Sequence, residues 1–439
     1  MYDEIRALDA LVARLRDQFP TLIDLSTGRI ERLLDKLGRP QDRLANVIHV
    51  AGTNGKGSTT AFLRAMAEAA GLKANVLTSP HLVRFAERIR LAGTLITEEA
   101  LRELIERVVA VNAGDAISFN EMLTAMAFQA FSEVPADVNI VEVGLGGRFD
   151  STNVFAAPAV SVITPVDLDH LELLGPELSK IAWEKAGIIK AGRPVVSAHQ
   201  PHDAAQVIIA QAEAIGAPLM MMGRDFDAWA QHGRLTLQAP DNLLDLPTPA
   251  LAGRHQFENA GVAAMAALML AHPRLDETAI GRGIAQAVWP ARLQRLRGGP
   301  LAAMAEARGA DLWLDGGHNP HAGRALAAHL ADLAARDGRP TALITAMYAR
   351  KDAAGFFAPF ADLAPVIVTT TFEGQGQAPP EDLALAARSA GLQAATAPDV
   401  TAALKAVLAA TGAAPHVLIC GGLHFAGEVL AMSPETWPQ

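Results

Sequence analysis

The stretch Ala51-Gly52-Thr53-Asn54-Gly55-Lys56-Gly57-Ser58-Thr59 decides the fold. The apolar run Val47-Ile48-His49-Val50 stands before it and Thr60-Ala61-Phe62-Leu63-Arg64-Ala65-Met66 after it, which reads as strand, glycine-rich turn and helix start. Glycines let backbone N–H groups approach an anion. The helix N-terminus adds partial positive charge, and Lys56 reaches the terminal phosphates of a nucleotide. Ser58 is placed to ligate Mg²⁺. The strict phosphate-loop spacing is not met: Val50 stands where its first Gly belongs, and Gly57 separates Lys56 from Ser58. A turn without a ligand would need neither the lysine nor three hydroxyls at a helix start.

Outward from this loop, the helix runs to about Ala70 with Gly71 as its cap, and Lys73 to Leu77 reads as a second strand. The resulting βαβ unit predicts a parallel sheet. Ligands gather at the carboxyl ends of such strands. Ser79 and His81, in Thr78-Ser79-Pro80-His81-Leu82, therefore stand on the side where the phosphate loop opens, although Ser-Pro is also a plain turn signal. The strand Val138-Asn139-Ile140-Val141-Glu142-Val143 ends in an acid, followed by Gly144-Leu145-Gly146-Gly147-Arg148-Phe149-Asp150. A carboxylate at the end of an apolar strand beside a phosphate loop is the usual way to hold Mg²⁺ on a nucleotide. Val160 to Ile163 makes another strand before Thr164-Pro165-Val166-Asp167-Leu168-Asp169-His170, and Lys185 follows on a helix that opens near Pro176. Between these strands lie helices over 97–112 and 118–131. The second carries Glu121 near its N-terminus, where capping alone could account for a carboxylate.

The chain has 439 residues, beyond the length at which one hydrophobic core stops growing, so two domains are expected. Amphipathic helices over 3–18 and 26–37 precede the first strand, and a β excursion is expected within 217–240. The first domain should end after Trp289-Pro290-Ala291-Arg292-Leu293-Gln294, with Gly298-Gly299-Pro300 as linker. The remainder alternates strand and helix again, and its first strand ends in Asp315-Gly316-Gly317-His318-Asn319-Pro320. No GxGxxG occurs there, so a dinucleotide site is not expected. The fold class is thus α/β: a P-loop-type parallel-sheet ATPase domain over 1–297, with N-terminal helices, then a smaller Rossmann-like domain over 298–439.

The net charge of −10 argues against general affinity for nucleic acid or an anionic membrane. One cysteine, Cys420, excludes an intrachain disulfide framework and a Cys-based metal site. No segment approaches the roughly 20 apolar residues of a membrane span, and the start Met1-Tyr2-Asp3-Glu4 lacks a basic, apolar leader. The expectation is a soluble cytoplasmic protein, with a monomer as the default.

These motifs, with Leu168-Asp169-His170, Glu184-Lys185-Ala186-Gly187-Ile188, Arg292-Leu293-Gln294 and Cys420-Gly421-Gly422-Leu423, run collinearly over almost the whole chain. Together they resemble the folylpolyglutamate synthase and dihydrofolate synthase family, which belongs with the Mur ligases. The resemblance implies that ATP phosphorylates a carboxylate of a pterin-containing substrate, dihydropteroate or a reduced folate, and that the amine of L-glutamate attacks the acyl phosphate. It implies that Gly52, Thr53, Asn54, Gly55, Lys56, Gly57 and Ser58 hold ATP, with Asn259 and Arg292 from the first domain and Asp315 and His318 from the second. Ser58, Ser79, Glu142 and His170 would ligate Mg²⁺. Lys185 matches a lysine that can be carbamylated to bind a second Mg²⁺. Lys56, Lys185, Asp315 and His318 are the implied catalytic set, and His81, Arg88, Glu121, Arg148 and Asp150 the implied pterin and folate contacts. Domain closure over the cleft is expected, because an acyl phosphate hydrolyses in water.

The chain departs from the family pattern at Ala86, where members often have Asn, and at Asn120, where an aromatic usually precedes the Glu. Both bear on substrate preference. The competing readings are a family member with only one of the two activities, a Mur-type ligase acting on another carboxylate such as a nucleotide-linked cell-wall precursor, and a nucleotide-hydrolysing switch. No Asn-Lys-x-Asp guanine motif supports a GTPase.

Overall fold

In the computed structural model, residues 2–19 and 26–439 are described; Met1, part of the start read above, and residues 20–25 lie outside them. The chain divides into two compact units, one of residues 1–250 and 257–288, the other of 251–256 and 289–439.

The first unit is built on eight strands: β1 Val47–Ala51, β2 Ala74–Leu77, β3 Ile89–Leu91, β4 Thr94–Leu95, β5 Val138–Glu142, β6 Val160–Ile163, β7 Val195–Ser197 and β8 Leu219–Met221. Their spatial order is β4-β3-β2-β5-β1-β6-β7-β8. β2, β5, β1, β6, β7 and β8 run parallel, and only the β3–β4 hairpin is antiparallel to its neighbours. β1, β2, β5 and β6 are buried along their whole length, which is why they read as continuous apolar runs rather than alternating ones. The central strand β1 pairs Val50 with Glu142 of β5 on one side and Val50 with Val162 of β6 on the other. The loops after β1, β5 and β6 therefore leave the same end of the sheet side by side.

Helices cover this sheet. Phe119–Glu133 buries Met122, Met126, Phe128 and Phe131, and it shares a core with Glu98–Asn112 and the N-terminal helices Tyr2–Gln18 and Gly28–Lys36. Its start is a capping box: Ser118 Oγ accepts from Glu121 N, and Glu121 Oε2 accepts from Ser118 N. Leu178–Ala186 and His202–Ala214 form a second core with β6 and β7. The expected β excursion is a three-stranded antiparallel sheet, β9 Asp227–Gln231, β10 Arg234–Gln238 and β11 Leu243–Leu246.

The second unit holds six strands in the order β12-β13-β17-β14-β15-β16: β12 Gln294–Arg295, β13 Asp311–Leu314, β14 Thr341–Thr345, β15 Val366–Thr369, β16 Ala394–Thr396 and β17 His416–Cys420. All pairs are parallel except β12 with β13. Two boundary expectations change here. Gly298-Gly299-Pro300 is not a linker, because it opens the helix Gly299–Glu306, with the proline in the first turn where its missing N–H costs nothing. The unit boundary lies earlier, at Val288/Trp289. Arg292 accordingly belongs to the second unit and not the first. Its neighbours Gln294 and Arg295 pair with β13, and Leu293 N donates to Asp315.

Candidate active site

The loop after β1 takes its shape from two glycines. Gly52 has φ 147°, and a Cβ there would lie 1.9 Å from Thr164 Oγ1 of the loop after β6. Gly55 has φ 87°, and a Cβ there would lie 2.5 Å from Asn259 Oδ1. Backbone conformation and close approach both demand glycine at these positions. Asn259, on the helix His255–Leu270, is thus brought against the loop within the first unit. The loop is also stitched to the segment after β6: Thr53 N and Asn54 N donate to Pro165 O, and Thr53 Oγ1 donates to Asp167 O at 2.9 Å.

The helix Lys56–Ala69 starts at Gly55, which supplies no side-chain cap to its first N–H groups. Lys56 Nζ lies 3.0 Å from Gly52 O and 3.3 Å from Thr53 O. Lys185 Nζ lies 3.0 Å from the same Gly52 O. Lys185 is almost fully buried, and burial together with the nearby Lys56 charge pulls its ammonium down to about 7. Two lysines and a ring of backbone groups thus converge on a cleft lined by Gly52, Thr53, Lys56, Val143 to Gly146, Asp169, His170, Leu174 and Lys185.

The other residues implied for metal stand around this cleft. Ser58 is buried in the first turn of the loop helix, and Glu142, the last residue of β5, is buried where the glycine turn begins. Ser79 follows β2 in a cis Ser79-Pro80 bond, and its Oγ lies 3.6 Å from where a Cβ on Gly144 would stand. His170 lines the cleft in a left-handed conformation, φ 53°, its N–H held by Asp169 Oδ1.

The residues implied for substrate divide into two groups. Arg88 is buried and donates from Nε to His81 Nδ1 at 2.8 Å; burial draws its guanidinium down to about 10. Glu121 Oε2 accepts from Arg29 Nε as well as from Ser118 N, so its carboxylate serves the cap and a buried ion pair. Asp150 is half-buried; desolvation pushes its carboxyl up, while hydrogen bonds to Thr152 and the backbone of Leu145 and Gly144 act the other way. Arg148 lies 3.8 Å over the Trp183 ring and donates to Trp183 O and Gln211 Oε1, and it is not among the cleft-lining residues. Ala86 is wholly buried, whereas Asn120 is exposed on the first turn of its helix.

In the second unit, Asp315 directly follows β13. Its Oδ2 accepts from Leu293 N at 2.8 Å and its Oδ1 from Gly317 N at 2.6 Å. Burial pushes this carboxyl up, and the Arg292 guanidinium is the largest influence in the opposite direction. His318 Nδ1 lies 3.2 Å from Gly316 O. The structure therefore gathers Arg292, Asp315 and His318 at one strand-to-helix turn. Sequence reasoning passed over His49 and Thr152, which stand behind the cleft in the first unit; the one available signal was a histidine inside an otherwise apolar strand.

Comparison with known proteins fits this arrangement. The Mur ligase middle domain matches residues 50–267, and the Mur ligase, glutamate ligase domain matches residues 301–423. The chain is similar to the dihydrofolate synthase/folylpolyglutamate synthase of Escherichia coli, 32% identical over 411 residues that make up 93% of this chain and 91% of that one. Its fold is similar to that of E. coli FolC in complex with DHPP and ADP, with TM-score 0.86, 30% identity and 96% of each chain covered. It is similar also to the bifunctional enzyme of Yersinia pestis complexed with AMPPNP and Mn ion, with TM-score 0.85, 29% identity and 97% of each chain covered. A glycine-rich phosphate loop on a parallel sheet, followed by a second parallel-sheet unit of this kind, defines an ATP-dependent ligase of the Mur superfamily. Within that superfamily, the chain belongs to the folylpolyglutamate synthase/dihydrofolate synthase family.

Proposed function

We propose that this enzyme joins L-glutamate to dihydropteroate, forming dihydrofolate, and to reduced folates, lengthening their glutamate tail, with an acyl phosphate as the intermediate of each ligation. The observation that carries the reading is the convergence of Lys56, Lys185 and an uncapped helix start on one cleft, in a chain collinear with a bifunctional relative over nine tenths of its length. A carboxylate and a triphosphate repel one another. Lys56 and the N–H groups at the start of its helix offset that repulsion where charge builds up.

The donors around the cleft suit Mg²⁺. Hydroxyls of Ser58 and Ser79 and one strand-end carboxylate, Glu142, offer hard oxygen ligands, with His170 at the rim, and a cation that keeps phosphate and water ligands needs no larger protein cage. Among the described residues no group of three or more His, Cys, Asp and Glu side chains forms such a cage. Mg²⁺, when bound there, neutralises developing phosphate charge. Asn259, Arg292, Asp315 and His318 enter the proposal as nucleotide contacts. The low value of Lys185 leaves about half of its amine neutral at neutral pH. That is the form that adds CO₂, releasing one proton to give a carbamate able to hold a second Mg²⁺. His81 and Arg88 enter as contacts for the acidic substrate, while Glu121, Arg148 and Asp150 shape its surroundings through their own hydrogen bonds. We take the enzyme to work as a monomer in the cytoplasm, where its lone buried Cys420 stays reduced, on small molecules and not on nucleic acid or membrane.

The test is ADP release from ATP and Mg²⁺ with L-glutamate, offering 7,8-dihydropteroate, a reduced folate or a UDP-linked peptide. Glutamate-dependent turnover with the first two is the expected result. Turnover with one alone assigns the enzyme to that step, turnover with neither folate acceptor points to Ala86 and Asn120, and turnover only with the peptide overturns the folate reading.

A further inference from the structure

Behind the cleft a chain of three polar side chains, buried His49 and Thr152 and half-buried Asp150, links the central strand to the glycine turn after β5. His49, in the middle of β1, has no exposed surface, and its Nε2 lies 2.8 Å from Thr152 Oγ1. Thr152 Oγ1 lies 2.5 Å from Asp150 Oδ1, which also accepts from Thr152 N at 2.9 Å. On its other oxygen, Asp150 accepts from Leu145 N at 2.9 Å, and that oxygen lies 3.4 Å from where a Cβ on Gly144 would stand.

Counting protons assigns every donor. Thr152 Oγ1 gives its single hydroxyl hydrogen to Asp150 Oδ1, so Thr152 accepts from His49, which carries its proton on Nε2. The other ring nitrogen, Nδ1, has no hydrogen-bond partner among the described residues, and the ring meets Phe155 edge-on at 5.7 Å. Burial holds this imidazole down at about 3, so it is neutral throughout the range in which the enzyme would be assayed. None of the three side chains lines the cleft, but Leu145, which Asp150 holds, and its neighbour Gly144 do.

We propose that His49 and Thr152 are positioning residues for the nucleotide: acting through Asp150, they fix the Gly144–Gly146 turn as the wall of the cleft facing Lys56. The proposal rests on the reading of that cleft as the ATP site. Without the Thr152 hydroxyl, Asp150 loses one donor and His49 Nε2–H loses its acceptor, so the carboxylate is freed to turn away from Leu145. The turn is then held by fewer contacts, among them the Arg148 N to Glu184 O bond.

The experiment is calorimetric titration of the full chain with AMPPNP and Mg²⁺, with thermal unfolding recorded beside it, for wild type, Thr152→Val, Thr152→Ser, His49→Leu and His49→Gln. Loss of one buried hydrogen bond predicts about tenfold weaker binding for Thr152→Val and His49→Leu in proteins that still unfold cooperatively. Thr152→Ser, and His49→Gln, which keeps a donor near the Nε2 position, should stay within about threefold. Folded Thr152→Val or His49→Leu binding as tightly as wild type overturns the proposal, as does Thr152→Ser being as impaired as Thr152→Val. If Thr152→Val does not fold, the two His49 variants decide. If neither donor-removing variant folds, the network is a folding element and the positioning role falls. A wild type that binds no AMPPNP removes the ATP reading itself, which the variants alone would leave standing.

Discussion

The molecule makes the same local structure twice and uses it in opposite ways. In each unit a strand of a largely parallel sheet runs into a glycine-containing turn and then a long helix: Gly52 to Ser58 after β1, and Asp315 to Asn319 after β13. The second turn satisfies itself. Asn319 Oδ1 caps Ala322 N at 2.9 Å, and Asp315 takes the N–H groups of Leu293 and Gly317. The first turn puts glycine at the cap position, where no side chain can accept, and places Lys56 directly after it. Helix-start N–H groups that are not capped from within are the ones that bind an anion. At the first turn the helix start without a side-chain cap coincides with Lys56 and the cleft, whereas at the second the complete cap marks a turn whose work is done by the side chains it holds in place.

The comparison breaks most visibly if Lys56 is dispensable. Lys56→Ala removes a cation from the point of greatest charge build-up, and kcat/KM should fall about a thousandfold, or ~4 kcal/mol, in steady-state ADP release. Wild-type rates would move the phosphate site elsewhere. On the other side, Asp315→Ala strands two buried backbone donors, at a cost of about 3 kcal/mol to the second unit. Faster hydrogen exchange in β13 and β12, with β1 and β5 unchanged, is the expected pattern; protection lost equally in both units would contradict it.

Lys185 sharpens the comparison through pH. Its amine is protonated below about 7 and neutral above it, so the reactive form increases about tenfold between roughly pH 6 and pH 8. Enzyme stripped of CO₂ should regain activity about tenfold faster at the higher pH when dissolved CO₂ is held constant. Activity indifferent to CO₂ removal would leave Lys185 as an amine that bonds Gly52 O and nothing more. The smallest effect belongs to the second turn's cap: Asn319→Ala should cost about 1 kcal/mol in chemical unfolding. AMPPNP affinity should change little, and a tenfold loss of affinity would show that this cap also serves the nucleotide.

Much of this was legible because it depends on local chemistry. The strands β1, β5 and β6 are runs of Val and Ile bounded by Gly and Pro, and the phosphate loop, Glu142 and Asp315 all stand at strand ends, where a one-dimensional pattern already says which side they occupy. The misreadings came where a short signal has two meanings. Gly298-Gly299-Pro300 looks like a linker, yet proline is equally suited to a first helical turn, and only the packed helix Gly299–Glu306 distinguishes the two. β12 and β16 are two and three residues long, too short for any periodicity, and exist because a neighbouring strand offers hydrogen bonds.

Side-chain commitments were out of reach for a different reason. Glu121, Arg148 and Asp150 are polar residues beside glycine turns or helix starts, where ligand contact and internal bonding look alike until the partners, Arg29, Trp183 and Thr152, are seen. Those partners lie 92, 35 and 2 residues away, and separation along the chain carries no hint of the contact.

By itself, then, the sequence determined the parallel α/β plan, the phosphate loop and the strand-end acids, since each follows from backbone conformation and burial within a dozen residues. The tertiary structure alone decided that Lys185 meets the same carbonyl as Lys56, that Arg292 belongs with Asp315, and that His49 reaches the Gly144 turn through Thr152 and Asp150. Those facts depend on distances between segments far apart in the chain, which are set by packing the whole sheet at once.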